Sequence, residues 1–123
     1  MLINLWLTPK NNTLDFDLPP TDFNHSHKIC VTQLFIHWEK VVSNCALTLS
    51  STIIDKSIFN PKQQLLVVYQ KERSKFLNYT PTHKNYYKIQ CFDLASSHFE
   101  IRNIDNTNLE NIEKIYIQLE IVE

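Results

Sequence analysis

The segment IYIQLEIV, residues 115–122, decides the fold class of this chain. Isoleucine or leucine occupies positions 115, 117, 119 and 121, and the positions between them carry Tyr116, Gln118, Glu120 and Val122. An apolar period of two over eight residues is typical of a β-strand that buries one face. The pattern therefore predicts a long strand near the end of the sequence.

Most of the remaining chain shows the same kind of pattern in shorter segments. Apolar alternation or β-branched enrichment predicts strands over residues 3–8, 14–18, 28–38, 45–50, 65–69, 76–79, 86–92 and 98–101. Turns rich in Pro, Asn, Asp and Ser separate them, and no long amphipathic helix is predicted. We expect an all-β fold: one antiparallel β-sandwich domain over residues 1–123, jelly-roll-like.

Two of these strands lead to more specific predictions. Residues 28–38 are apolar on both parities, which predicts a central strand buried on both faces. The inward positions of the predicted strands define a core. The predicted core residues are Ile3, Leu5, Leu14, Phe16, Leu34, Ile36, Leu47, Leu49, Val67, Ile89, Ile117 and Leu119.

The chain contains no glycine among its 123 residues. This excludes the glycine-dependent phosphate-binding loops, the dinucleotide fingerprint and the glycine-based nucleophile elbow. The chain must turn by other means, and Asn and Asp are the residues that tolerate positive backbone φ angles best after glycine. The candidates are Asn11, Asn12, Asn24, Asn103, Asp105, Asn106 and Asn108.

Candidate chemical sites are sparse, and we predict no catalytic, cofactor-binding or metal-binding residues. His25 and His27 have a spacing that zinc could use, but no second pair of ligands is apparent, so we interpret them as a solvated loop. Asp15 and Asp17 are interpreted as the solvent face of a strand. Cysteines 30, 45 and 91 lie in apolar surroundings without a CxxC spacing, which predicts buried free thiols.

A basic and aromatic segment, residues 71–88, is the most distinctive candidate surface. Cations interleaved with tyrosines could bind single-stranded nucleic acid, but the net charge of −1 argues against that partner. Tyrosine is also enriched at protein interfaces. We therefore predict an interface formed by Tyr79, Thr82, His83, Lys84, Tyr86 and Tyr87.

The second half of the chain also has a characteristic order of motifs. The order is Phe59-Asn60-Pro61, Tyr79-Thr80-Pro81-Thr82-His83, Tyr87-Lys88-Ile89-Gln90, a segment over 99–105, and the closing strand over 115–121. In rhythm, this order resembles the small jelly-roll modules of minor capsid or spike proteins in the Polinton and adintovirus group of large DNA transposons and viruses. The resemblance implies a structural role in a virion.

The function expected from this resemblance is non-enzymatic assembly through β-sandwich contacts, as a capsid or spike component. The expected partners are copies of the chain, in a trimer or pentamer, or other capsid proteins. We predict no signal peptide and no membrane span, and hence a virion or intracellular location. The alternative is a carbohydrate- or protein-binding β-sandwich that uses the tyrosine-rich loop over residues 79–87. A metal-dependent or cysteine enzyme is a third class.

Overall fold

The computed structural model of this chain describes residues 1–7, 15–16, 27–54, 56–90 and 98–123. The described residues form nine β-strands and no helix, which confirms the predicted fold class. In chain order the strands are β1 (Leu2–Leu7), β2 (Asp15–Phe16), β3 (Lys28–Val42), β4 (Cys45–Ser51), β5 (Gln64–Gln70), β6 (Ser74–Tyr79), β7 (Tyr87–Lys88), β8 (Phe99–Asn103) and β9 (Ile112–Val122).

The strands form two antiparallel sheets that pack face to face. The first sheet has the order β1-β9-β3-β6, and the short β7 pairs with the beginning of β3. The second sheet has the order β2-β8-β4-β5. With β7 set aside, the remaining eight strands run in the orders 1-8-3-6 and 2-7-4-5, which is the strand arrangement of a jelly roll.

One hydrophobic core lies between the two sheets and receives side chains from both. Most of the predicted core is confirmed. The predicted residues that are buried are Leu34, Ile36, Leu47, Leu49, Ile89, Ile117 and Leu119. Ile3 and Leu5 are partly buried and pack against the core. Leu14 and the Phe16 side chain lie outside the described residues.

Val67 was predicted to be in the core, and this prediction is wrong. Its side chain is 50% exposed, whereas Leu66 and Val68 on either side are buried. Residues 65–69 are apolar throughout, so the sequence has no alternation from which the inward parity could be chosen. Val67 pairs with Thr48, whose side chain points outward from β4, and this register places the Val67 side chain on the outer face as well.

Strand β3 contains a β-bulge at Thr32, which explains its apolar residues on both parities. Two residues of β3, Thr32 and Gln33, lie opposite the single residue Gln118 of β9. A bulge of this kind shifts the side-chain alternation by one residue. Consequently Val31 faces the core before the bulge and Leu34 faces it afterwards.

The prediction that β3 is buried on both faces is therefore wrong. The outward side chains Phe35 and His37 remain partly exposed. Cys30 is buried although it points outward, because a loop covers that end of the sheet. The outer face of the first sheet, on the side away from the second sheet, is thus accessible along much of β3.

Candidate interaction surface on the first sheet

Five ring-bearing side chains cross the outer face of the first sheet. They come from all four of its main strands, because outward positions of neighbouring strands lie side by side. In the register, Trp6 of β1 lies opposite Tyr116 of β9, Tyr116 lies opposite Phe35 of β3, and His37 lies opposite Phe76 of β6. We call Trp6, Tyr116, Phe35, His37 and Phe76 the aromatic row.

Ring contacts within the aromatic row join Trp6 to Tyr116, and Phe76 to both Phe35 and His37. The ring centroids of Trp6 and Tyr116 are 4.6 Å apart, and those of Phe35 and Phe76 are 6.0 Å apart. The His37 imidazole stacks on Phe76 at 4.6 Å with an interplanar angle of 15°. These separations lie in the range where aromatic pairs attract beyond simple burial of area. The row is therefore an ordered surface and not a set of isolated rings.

The two ends of the aromatic row are the most accessible to solvent. Trp6 is 67% exposed and Phe76 is 50% exposed, while Phe35, His37 and Tyr116 are half-buried. Clustered exposed aromatic side chains on a folded protein mark interaction sites more often than scattered ones do. The outer face of the second sheet differs, because polar side chains such as Thr48, Ser50, Glu100 and Arg102 occupy its middle strands.

A polar network fixes the orientation of Tyr116 at the centre of the row. The Tyr116 hydroxyl donates a hydrogen bond to Asn4 Oδ1 at 2.6 Å, and Gln118 Nε2 donates to the same oxygen at 2.9 Å. The bulge residue Thr32 donates from Oγ1 to Gln118 Oε1 at 2.8 Å. These bonds hold the surface in one arrangement before any partner binds, which reduces the entropy lost on binding.

The loop after β6 folds over the other end of the same outer face. Lys84 Nζ lies 3.1 Å from Glu120 Oε2, and the Tyr86 hydroxyl donates to Glu120 Oε1. Tyr86 also hydrogen-bonds Cys30, the residue opposite Glu120 on β3. Tyr86 therefore helps to keep the Cys30 thiol out of solvent.

These contacts shift the proton affinities of the groups involved. Hydrogen bonds from Tyr86 and Lys84 lower the pKa of Glu120, because they stabilise its carboxylate. The bond to Glu120 and burial together raise the pKa of Tyr86. Burial raises the pKa of Cys30 and also that of Cys45, the second free thiol in the described part of the chain. Both thiols are therefore protonated at neutral pH and poor nucleophiles.

The structure does not bring the six residues of the sequence-predicted interface together on one surface. Tyr79 and Tyr87 are half-buried and pack against the core. Tyr87 also lines a cleft of about 490 Å³ with Leu66 and Phe59. Thr82 and His83 are exposed in the loop after β6.

Lys84 and Tyr86 are the two predicted interface residues that lie on the outer face, through their contacts with Glu120. They are thus on the same side of the first sheet as the aromatic row. The row itself was missed by sequence reasoning, although a signal was present. Trp6 and Tyr116 occupy the polar parity of their strands, where a large aromatic ring has no core to fill.

The described residues show little that could serve as a catalytic or metal site. In that part of the chain, no three His, Cys, Asp or Glu side chains are grouped to hold a metal ion. Of the candidates considered from the sequence, His25, Asp17 and Cys91 lie outside the described residues. Nor does any helix in the described ranges have the length and apolarity needed to cross a bilayer.

Comparisons with models of protein families, with curated proteins and with solved structures found no match to this chain. The resemblance to capsid and spike modules accordingly stays a prediction from the sequence.

Proposed function

We propose that this protein is a non-enzymatic structural module that assembles with copies of itself through the outer face of the first sheet, as a capsid or spike component of a virion or virus-derived particle. The observation that carries the proposal is the aromatic row, which crosses all four main strands of that sheet.

The composition of this face supports a protein partner. Trp and Tyr are enriched among the residues that dominate binding energy at interfaces, and they work best when polar groups surround them and exclude water. Here the amides of Asn4, Gln118 and Asn78 occupy outward positions around the rings. Burying one such exposed ring against a neighbour would contribute about 1.5–3 kcal/mol.

The jelly-roll frame supports assembly as the role. The double-sheet strand arrangement occurs in viral capsid domains and in lectin domains, and both use the sandwich as a rigid unit. Most protein oligomers close on themselves with point symmetry. We therefore expect a discrete oligomer, with a trimer or pentamer as the form suited to a shell or spike.

Light scattering at a series of protein concentrations tests the proposal. The wild-type protein should form a discrete oligomer. The double variant Trp6→Ser, Phe76→Ser should form an assembly of smaller mass, because it loses the outer-face contact, while its thermal unfolding temperature changes little. The matched control is Val67→Ser, Tyr69→Ser, since these side chains are similarly exposed but lie on the second sheet. A wild-type protein that stays monomeric at high concentration, or an oligomer untouched by the outer-face variant, would contradict the proposal.

Carbohydrate binding is a second candidate, and the exposed ring of Trp6 is the observation that favours it. A flat indole beside the amides of Asn4 and Gln118 offers both a stacking surface and hydrogen-bonding groups for a sugar. The site would then centre on Trp6 and not on Tyr79 or Tyr87, which pack inward. Titration with a panel of oligosaccharides should change Trp6 fluorescence in this case, while Trp38, which is buried, serves as the internal reference.

A further inference from the structure

The loop between β4 and β5 presents two large apolar side chains almost entirely to solvent. Ile58 is 92% exposed and Phe59 is 97% exposed, more than any other large apolar side chain in the described part of the chain. We call these two residues the apolar knob. Leaving both side chains exposed forgoes the stabilisation that their burial would give, so their position needs a reason.

Hydrogen bonds at the base of the knob hold it in a fixed conformation. The Asn60 side chain bonds the backbone of Gln64 in both directions, donating from Nδ2 at 3.0 Å and accepting at Oδ1 at 2.9 Å. Gln63 Nε2 donates to the carbonyl of Ile54 at 2.7 Å, and the Asn60 N–H donates to Ser57 Oγ at 3.0 Å. The knob is therefore a braced projection, and a partner that covers it would lose little entropy in ordering it.

A cleft that could receive the knob lies at the opposite end of the sandwich. It has a volume of about 800 Å³, and its lining includes the buried side chains of Trp38, Cys45 and Leu109 together with the exposed side chain of Ile104. We call it the end cleft. Strand β4 begins at this cleft with Cys45 and ends at Ser51, where the knob loop begins. At the strand rise of about 3.3 Å per residue, β4 spans about 20 Å between the end cleft and the start of the knob loop.

The charges around the two sites are complementary. Lys56 and Lys62 flank the knob, and the net charge of residues 55–62 stays positive when Asp55, which lies outside the described residues, is counted. The end cleft is lined by Asp105 and Glu110, and no lysine or arginine is among its described lining residues. Thr107 donates two hydrogen bonds to Asp105 Oδ1, which lower the pKa of this carboxyl and keep it charged.

We propose that the apolar knob of one copy inserts into the end cleft of a second copy, with Lys56 and Lys62 facing Asp105 and Glu110. The contact joins two different surfaces and is therefore head-to-tail, so it extends into a chain of subunits or closes into a ring. It does not involve the outer face of the first sheet. A second copy explains the knob and the cleft together, whereas a lipid surface would explain only the knob and its lysines.

Sedimentation velocity in the Trp6→Ser, Phe76→Ser background tests this contact separately from the outer-face contact. The protein should still self-associate there, and adding Phe59→Ser should weaken the association about 30-fold, the effect of losing a dominant interface side chain. The pair Ile104→Lys, Glu110→Lys in the cleft should weaken it similarly. All three side chains are exposed, so the unfolding temperature should stay close to that of the parent, and Tyr69→Ser is the matched control.

An equimolar mixture of the Phe59→Ser and the Ile104→Lys, Glu110→Lys proteins gives the decisive result. Each protein retains one intact half of the contact, so the mixture should form a one-to-one dimer that neither protein forms alone. Absence of that dimer, or unchanged self-association of the Phe59→Ser protein, would overturn the proposal. So would a Phe59→Ser protein that loses binding to phosphatidylserine vesicles but self-associates normally, since the knob would then serve a membrane surface.

Discussion

Asn44, Asn106 and Asn111 adopt the left-handed backbone conformation that glycine often provides, with φ angles of 53°, 69° and 57°. Asparagine tolerates this region because its short side chain can hydrogen-bond locally. The absence of glycine predicted this use of asparagine, and the candidate Asn106 has a positive φ angle. The candidates Asn103, Asp105 and Asn108 do not, so for them the prediction is wrong. Asn44 and Asn111 were not among the candidates, and neither was Gln63, at φ 53°. Its side chain bonds the carbonyl of Ile54, a contact that depends on how the loop closes.

Val67 and Val68, which are neighbours on β5, test which side chains of this strand face the core. Val68→Thr places a hydroxyl in the core and should lower the free energy of unfolding by about 1–3 kcal/mol. Val67→Thr changes an exposed side chain by the same atoms and should shift it by less than about 0.5 kcal/mol. Urea unfolding of both variants measures the difference. Equal effects at the two positions would show that β5 does not have this parity.

Glu120 should make the stability of the protein depend on pH. Its pKa is lowered in the folded state by Tyr86 and Lys84, so its contribution is present above the ordinary carboxyl range. The contribution is lost as the pH falls through the lowered pKa. Glu120→Gln should therefore lower the urea midpoint at pH 7. The difference in urea midpoint between the wild type and this variant should become smaller at acidic pH, where Glu120 is protonated in the wild type. The control is Glu72→Gln, because Glu72 is an exposed acid in the turn after β5. A difference in urea midpoint between Glu120→Gln and the wild type that stays constant with pH would contradict this account.

At the scale of elements, bulges determine which side chains the long strands bury. In β3 the register skips at Thr32, and in β9 it skips at Glu113 between Ile112 and Lys114. Inward side chains are therefore out of step on the two sides of each bulge. The regular alternation over 115–122 made β9 recognisable because its bulge lies outside that segment. The alternation of β3 could not be recognised because its bulge lies inside the strand.

The bulge at Thr32 can be tested by deleting the residue. Deletion restores a continuous alternation, so Ile29 and Val31 could no longer face the core together with Leu34. Exposing those two side chains should cost about 3–6 kcal/mol, at about 1.5–3 kcal/mol each. Thr32→Val keeps the chain length and removes only the bond to Gln118, which should cost about 1 kcal/mol. If deletion were as mild as this substitution in urea unfolding, the bulge would not set the parity of β3.

At the scale of the whole molecule, pairings between distant segments build both the core and the candidate surfaces. Strand β1 pairs with β9 from Leu2 opposite Glu120 to Leu7 opposite Ile115. The aromatic row exists only because β1, β9, β3 and β6 become neighbours in this order. The apolar knob and the end cleft are likewise placed at opposite ends of the sandwich by the jelly-roll connections.

Patterns in the sequence predict the fold class, the approximate positions of most strands and part of the core, because alternation with a period of two is a local property of the chain. The absence of glycine also predicts that asparagine takes its place in turns. Only the tertiary structure shows which side chains of β5 and β3 face the core. The outward position of Val67 and the bulge at Thr32 both depend on the register of a partner strand. The tertiary structure likewise shows that Tyr79 and Tyr87 pack inward and that five ring-bearing side chains form the aromatic row. Side chains from separate strands share a surface only through sheet order and register, and long-range pairing sets both.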